Sequence, residues 1–201
     1  MSARPGPAAD APPGWSYNPS TLRERLPIVL LAAGGFLVAG YLALYQWEVL
    51  GSVWEPFFGD GSRVILNSRV SHLLPVPDAA LGALGYLLDA VTGGVGGRDR
   101  WRRMPWLVIA FGLAVGPLGA VSVTLVILQP VLYDAWCTLC LITAAVSVLM
   151  IGPAMDEVLA SLQHLKRRRG RGGSLWRAFW GTDRERAAAR KEGDRPCGRG
   201  W

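Results

Sequence analysis

The sequence predicts an all-α membrane protein, a four-helix transmembrane bundle with an extracytoplasmic loop between helices 1 and 2. Three observations carry that expectation. Of the 201 residues, 51% are hydrophobic, and the mean hydropathy is positive. Only 18% are charged, yet 21 Lys and Arg stand against 15 Asp and Glu. The basic residues are also segregated, with three before residue 26, two between 48 and 70, four between 98 and 103 and twelve after 165. Long uncharged stretches separate the clusters. This pattern excludes a disordered chain, a collagen-like chain and a disulfide-stapled secreted module. It also argues against a nucleic-acid partner, because the basic residues flank apolar spans and do not line one folded face.

The first span is Leu26 to Gln46, uncharged over about 21 positions and therefore able to cross roughly 30 Å of hydrocarbon. No small-x-small cleavage site follows it, only Trp47, Glu48, Val49 and Leu50, so it reads as a helix that stays in the protein. Leu73 to Val95 is the second span, interrupted by Asp78, Asp89 and the pair Gly93-Gly94. Met104 to Tyr133 is the third, with Pro117 as an expected kink and Gln129-Pro130 as its close. Ala135 to Met155 is the fourth.

If Leu73 to Val95 crosses, both tails and the 96–104 loop share one side, which then holds 19 of the 21 basic residues. That distribution obeys the positive-inside rule, so the chain reads as a multi-pass protein of the cell membrane, in contact with lipid, with both termini cytoplasmic. Residues 1–24 read as a flexible N-terminal tail, 25–155 as the membrane domain and 156–201 as a basic C-terminal tail. In that last tail Val158, Leu159, Leu162 and Leu165, then KRRRGR, then Leu175, Trp176, Phe179 and Trp180, read first as a topology-setting flank. A surface helix with an aromatic anchor on an anionic leaflet is the alternative.

The chemistry concentrates in Trp136-Cys137-Thr138-Leu139-Cys140, at the start of the fourth span. Cysteines at i and i+3 share a helix face with Cβ atoms about 5–6 Å apart, a gap that a small adjustment closes into a disulfide. A helix N-terminus favours a thiolate, and the outer membrane boundary is the oxidising side. A redox-active dithiol is the favoured reading; metal binding and plain packing are the alternatives. Zinc needs four ligands and this side of the chain adds only His72, so no metal is expected. Cys197, in the charged tail, reads as an unpaired thiol.

Asp78 follows Pro77 and reads equally as a first-turn acid or as a functional group at membrane depth. Asp89 is expected to face the Arg98–Arg103 cluster. His72 reads as a solvated loop histidine, and Arg63 and Arg69 as partners of Glu55 or Asp60 in a loop cap. Ala79, Gly82 and Gly85 suit close helix packing.

These motifs resemble the vitamin K epoxide reductase family of four-helix membrane thiol oxidoreductases, over residues 26 to 155. In that family a CxxC at the start of the fourth helix reacts with a quinone held inside the bundle, and Cys137 and Cys140 match it in spacing and position. SRVILNSR (Ser62 to Arg69) and PVPDAALGALGY (Pro75 to Tyr86) resemble the family's passage from the loop into the second helix. Ser68 matches the family's loop serine, and Asp78 falls near a polar position that contacts the quinone ring in some members. The resemblance implies a membrane thiol–quinone oxidoreductase, with a menaquinone- or ubiquinone-type acceptor, that supports extracytoplasmic disulfide formation. Cys140 would lie nearer the quinone and Cys137 would meet the electron donor.

The sequence also departs from the family. Its members carry a second cysteine pair in the first loop, which relays electrons from a thioredoxin-like partner. Here Trp54 and Ser62 stand at those positions, and no cysteine lies between residues 1 and 136. Serine cannot carry thiol–disulfide exchange. The donor, expected to be an extracytoplasmic thioredoxin-like protein, must then reach Cys137 itself, docking on the apolar loop residues Trp54, Phe57 and Phe58. The alternative is a non-catalytic subunit that keeps the fold and binds a partner or quinone without turnover.

Overall fold

The computed structural model describes residues 11–71 and 75–182, and all regular structure in them is helical. In chain order the helices are α1 (Leu22–Gln46), α2 (Gly61–Leu66), α3 (Asp78–Gly94), α4 (Arg100–Arg103), α5 (Pro105–Tyr133), α6 (Thr138–Gly170) and α7 (Leu175–Trp180). His72, Cys197 and the tail beyond residue 182 lie outside the described residues.

Among the described helices, three are long and apolar enough to cross a membrane, namely α1, α5 and α6. At 1.5 Å per residue they span about 38, 44 and 50 Å, more than a hydrocarbon core of roughly 30 Å. The shorter α3, 17 residues and about 25 Å, begins five residues later than the sequence suggests. Pro75 and Pro77 explain the late start, because each removes a backbone donor and pushes the residue before it out of the helical region.

Each long helix buries one stripe. On α1 the stripe is Ile28, Ala32, Gly35, Ala39 and Leu42, at alternating steps of three and four residues. Ile28, Ala32 and Ala39 meet Ala83 and Tyr86 of α3, Phe111 and Val115 of α5, and Met150 and Ala154 of α6 in one core, while Leu42 joins a second cluster with Leu66 and Leu139. The opposite faces expose large apolar residues such as Leu37, Leu113, Ile127 and Leu149. Lipid is as apolar as these side chains, so association must come from close packing and not from escape from water. Small residues provide it. A Cβ built on Gly35 would lie 2.6 Å from the Tyr86 ring, and one on Gly85 would lie 2.7 Å from Leu118.

Helix α5 runs on through Pro130 to Tyr133 before Asp134, at φ 46°, breaks it in the left-handed region. An aspartate tolerates that conformation at modest cost. In the same way α6 continues without a break across residues 155 and 156 and ends only at Gly170.

At the arginine-rich end, the segment read as a flexible tail is held from residue 11 onward. Tyr17 Oη donates to Asp156 at 2.6 Å, a bond that pushes the tyrosine pKa up to about 12. Trp15 Nε1 donates to Gln163 at 3.0 Å, and Ser20 Oγ donates to Glu157 at 2.5 Å. Glu157 also pairs with Arg100 at 3.0 Å, both side chains being almost fully buried. Burial lowers the Arg100 pKa below the usual arginine range, against the pull of Glu157.

Arg100 also donates to the Thr92, Gly93 and Val95 carbonyls at the end of α3, the helix that carries Asp89. Asp89 is buried on α3, and one of its carboxylate oxygens has no hydrogen-bond partner. Arg100 forms its ion pair with Glu157.

Candidate functional site

The site lies at the opposite end of the bundle and begins with the break at Asp134. The chain leaves α5, turns through Asp134 to Trp136, and places Cys137 in extended conformation as the N-cap of α6. Cys137 and Cys140 form a disulfide with Cα atoms 5.2 Å apart. The Cys140 backbone N–H donates to Cys137 Sγ at 3.2 Å, so the sulfur itself caps the helix. The Cys137 N–H donates to Gln129 Oε1 at 3.1 Å, across the α5–α6 turn.

The two sulfurs have different surroundings. Cys137 is 0% exposed and packs among Leu42, Leu66 and Leu139. Cys140 lines a cavity of about 120 Å³ bounded by α1, α2, α3, α5 and α6. Its walls are largely apolar (Leu42, Leu66, Leu125, Val126), with Ser68, Ser71, Asp78, Gln129, Tyr133 and Thr143 as polar groups.

Asp78 does not stand alone there. Its Oδ1 accepts from Gln46 Nε2 at 2.7 Å, from Ser71 Oγ at 2.6 Å and from the Ala79 N–H at 2.8 Å. Gln46 Oε1 in turn accepts the Ala79 N–H at 3.2 Å, and Ser68 Oγ accepts the Ser71 N–H at 3.3 Å. The start of α3 and the end of α1 are thus tied together at the cavity rim.

Above the disulfide lies the 49–71 segment. Glu55, read from sequence as a partner for Arg63 or Arg69, is used differently. Its carboxylate accepts the Thr138 N–H at 3.0 Å and bonds the Thr138 and Ser62 hydroxyls. It also accepts the backbone N–H groups of Phe57 and Phe58 at 3.3 and 3.4 Å. Burial opposes its ionisation, but the bonds from Ser62, Thr138 and Phe57 outweigh that and bring its pKa down to about 2. The free N–H groups at the head of α6 explain the preference, since they attract an anion. Arg63 pairs with Asp60 instead, at 3.6 Å on the surface. Ser62 is fully buried.

The structure therefore brings Cys140, Ser68 and Asp78 to one cavity and leaves Cys137 outside its walls. Trp54, Phe57 and Phe58 are exposed on the loop, with the Phe58 ring 6.4 Å from that of Trp136. Sequence reasoning missed Gln46, Gln129, Ser71 and Glu55. Gln46 and Gln129 did carry a signal, as amides inside stretches otherwise almost free of strongly polar side chains. Among the described residues, no three His, Cys, Asp or Glu side chains cluster as a metal site would require.

An all-helical membrane protein with a disulfide at a helix head, one sulfur facing an apolar cavity, defines the class. The family model for vitamin K epoxide reductases matches residues 26–154, and the chain belongs to that family of membrane oxidoreductases. No curated protein matches the chain.

Proposed function

We propose that this protein is a thiol–quinone oxidoreductase that passes electrons from protein thiols to a quinone and so supports disulfide formation outside the cytoplasm. The observation that carries the reading is the cavity, in which the Cys140 sulfur shares an apolar chamber with Ser68 and Asp78. The lining supplies the two kinds of contact a quinone ring uses, apolar walls and hydrogen-bonding groups. Ser68, Asp78 and Tyr133 are the polar groups that would hold it, with Leu125 and Val126 among the apolar lining. The chemistry it supplies when bound is acceptance of two electrons and two protons.

The chain's own part is thiol–disulfide exchange. A donor thiolate attacks Cys137 Sγ, the Cys137–Cys140 bond breaks, and Cys140 leaves as a thiolate. The donor's second thiol then attacks its own sulfur in the mixed disulfide, releasing Cys137. The donor ends as a disulfide, and the pair gains two electrons and two protons.

On this reading α3 is the second of four crossings of the cell membrane, both termini are cytoplasmic, and the cysteine end faces outward. The distribution of arginines supports that orientation. The donor is a thioredoxin-like protein docking on Trp54, Phe57 and Phe58. In steady-state assays with a soluble dithiol, the purified protein should reduce a short-chain quinone, and Cys140→Ala should abolish the rate. An unchanged rate in that variant refutes the chemistry.

Burial of Cys137 beneath a loop without cysteines favours a second reading, a binding subunit without turnover. Cys140→Ser separates the two. A mixed disulfide trapped through Cys137 supports electron entry there, and none under varied donors supports the binding subunit.

A further inference from the structure

We propose that Glu55 is a positioning residue for the Cys137–Cys140 pair: its carboxylate, clasped to the head of α6 through Thr138 and Ser62, holds the reduced Cys137 as a thiol and leaves Cys140 as the reactive thiolate. The inference rests on the reading that these cysteines form the redox pair.

A cysteine at a helix N-cap ordinarily gains thiolate character from the unpaired N–H groups and the positive end of the dipole. Here Glu55 takes the first of those N–H groups, and the Cys140 N–H is the one bonded to the Cys137 sulfur. Glu55 accepts the Thr138 N–H at 3.0 Å, the first amide of α6 and the residue next to Cys137. The Cys137 N–H goes to Gln129. A Cys137 thiolate would form beside a fixed anion, fully buried among the apolar side chains of Leu42, Leu66 and Leu139. The other ionisable groups on the surrounding elements are Tyr41 and Tyr45 on α1, Asp60 and Arg63 on α2, Asp78 at the head of α3, and Tyr133 and Asp134 closing α5. Of the described cations near this end, Arg63 is exposed and paired with Asp60, and Arg69, just after α2, is also exposed.

The clasp also ties the loop to α6. Ser62 is fully buried and is joined to α6 by hydrogen bonds through one carboxylate. A donor must lift this loop to reach Cys137, and the same carboxylate that shuts it keeps the sulfur beneath unreactive.

The test uses full-length protein in a Cys197→Ser, Cys140→Ser background, so that Cys137 is the one thiol. Its alkylation rate is followed against pH: the plateau at high pH reports access, and the pH of half-rise reports charge. Glu55→Gln keeps an acceptor for Thr138 and removes the charge; it should move the half-rise to lower pH and speed alkylation at pH 7 about ten-fold, the effect of one nearby unit charge. Ser62→Ala loosens the clasp but keeps the charge; it should raise the plateau without moving the half-rise. If Glu55→Gln does not survive purification, Glu55→Asp, with its charge drawn back, should shift the half-rise in the same direction. An unmoved half-rise in the charge variant overturns the proposal, as does an equal shift with Ser62→Ala. No quinone enters this assay, so its outcome is independent of turnover.

Discussion

Gln129 of α5 holds Cys137 of α6 by its backbone, the amide oxygen accepting the cysteine N–H at 3.1 Å in a buried position. The bond fixes the disulfide against the turn at Asp134, and Gln129 also lines the cavity. Gln129→Leu leaves a buried N–H unpaired, which costs about 1–3 kcal/mol. We predict a lower melting temperature in detergent and slower quinone reduction. Unchanged values for both would show the bond to be incidental.

The clasp has a defined pH range. The Glu55 pKa falls from 4.5 to about 2 in the folded protein, so its contribution is complete above about 4.5 and fades as pH drops from there through about 2. Hydrogen exchange at the Thr138 amide, corrected for intrinsic rate, should be flat from pH 7 to 5 and lose protection only below that. Loss of protection between pH 7 and 5 would contradict the assignment.

Arg100 and Glu157 form the buried ion pair of the opposite end, with Ser20 on the same carboxylate. Removing one partner strands the other charge, a loss of about 3–5 kcal/mol. Glu157→Ala should unfold at markedly lower temperature than wild type, with α4 and the 11–21 segment exposed to protease. A melting temperature within a degree of wild type would contradict this account of how that end is held.

The loop aromatics are predicted to serve the donor alone. Replacing Trp54, Phe57 and Phe58 with Ser should slow reduction by a thioredoxin-like protein and spare reduction by a small dithiol. Equal loss with both would place these side chains in service of the cavity.

Legibility from sequence followed periodicity and failed at individual partners. The three long spans could be read because a run without charge has few alternatives in water. CxxC spacing likewise pointed to the disulfide, and the resemblance singled out Ser68 and Asp78, which line the same cavity as Cys140. The ties of Glu55 to Thr138, of Gln129 to Cys137 and of Glu157 to Arg100 were not legible. Each joins residues whose meeting depends on how helices stack, and nothing in local pattern distinguishes a loop glutamate that pairs with Arg63 from one that caps α6. The ties of residues 11–24 were not legible for the same reason, since Trp15 and Tyr17 find their partners on α6, about 140 positions away.

Single-turnover stoichiometry tests the central claim most directly. Protein reduced at Cys137 and Cys140, freed of reductant and mixed with a short-chain quinone under argon, is quenched over time. Free thiols are counted by mass tagging and hydroquinone by absorbance. The account predicts that one hydroquinone forms for each Cys137–Cys140 disulfide, and that neither forms with Cys140→Ala. Thiols that persist beside unreacted quinone in the folded wild-type protein would contradict it.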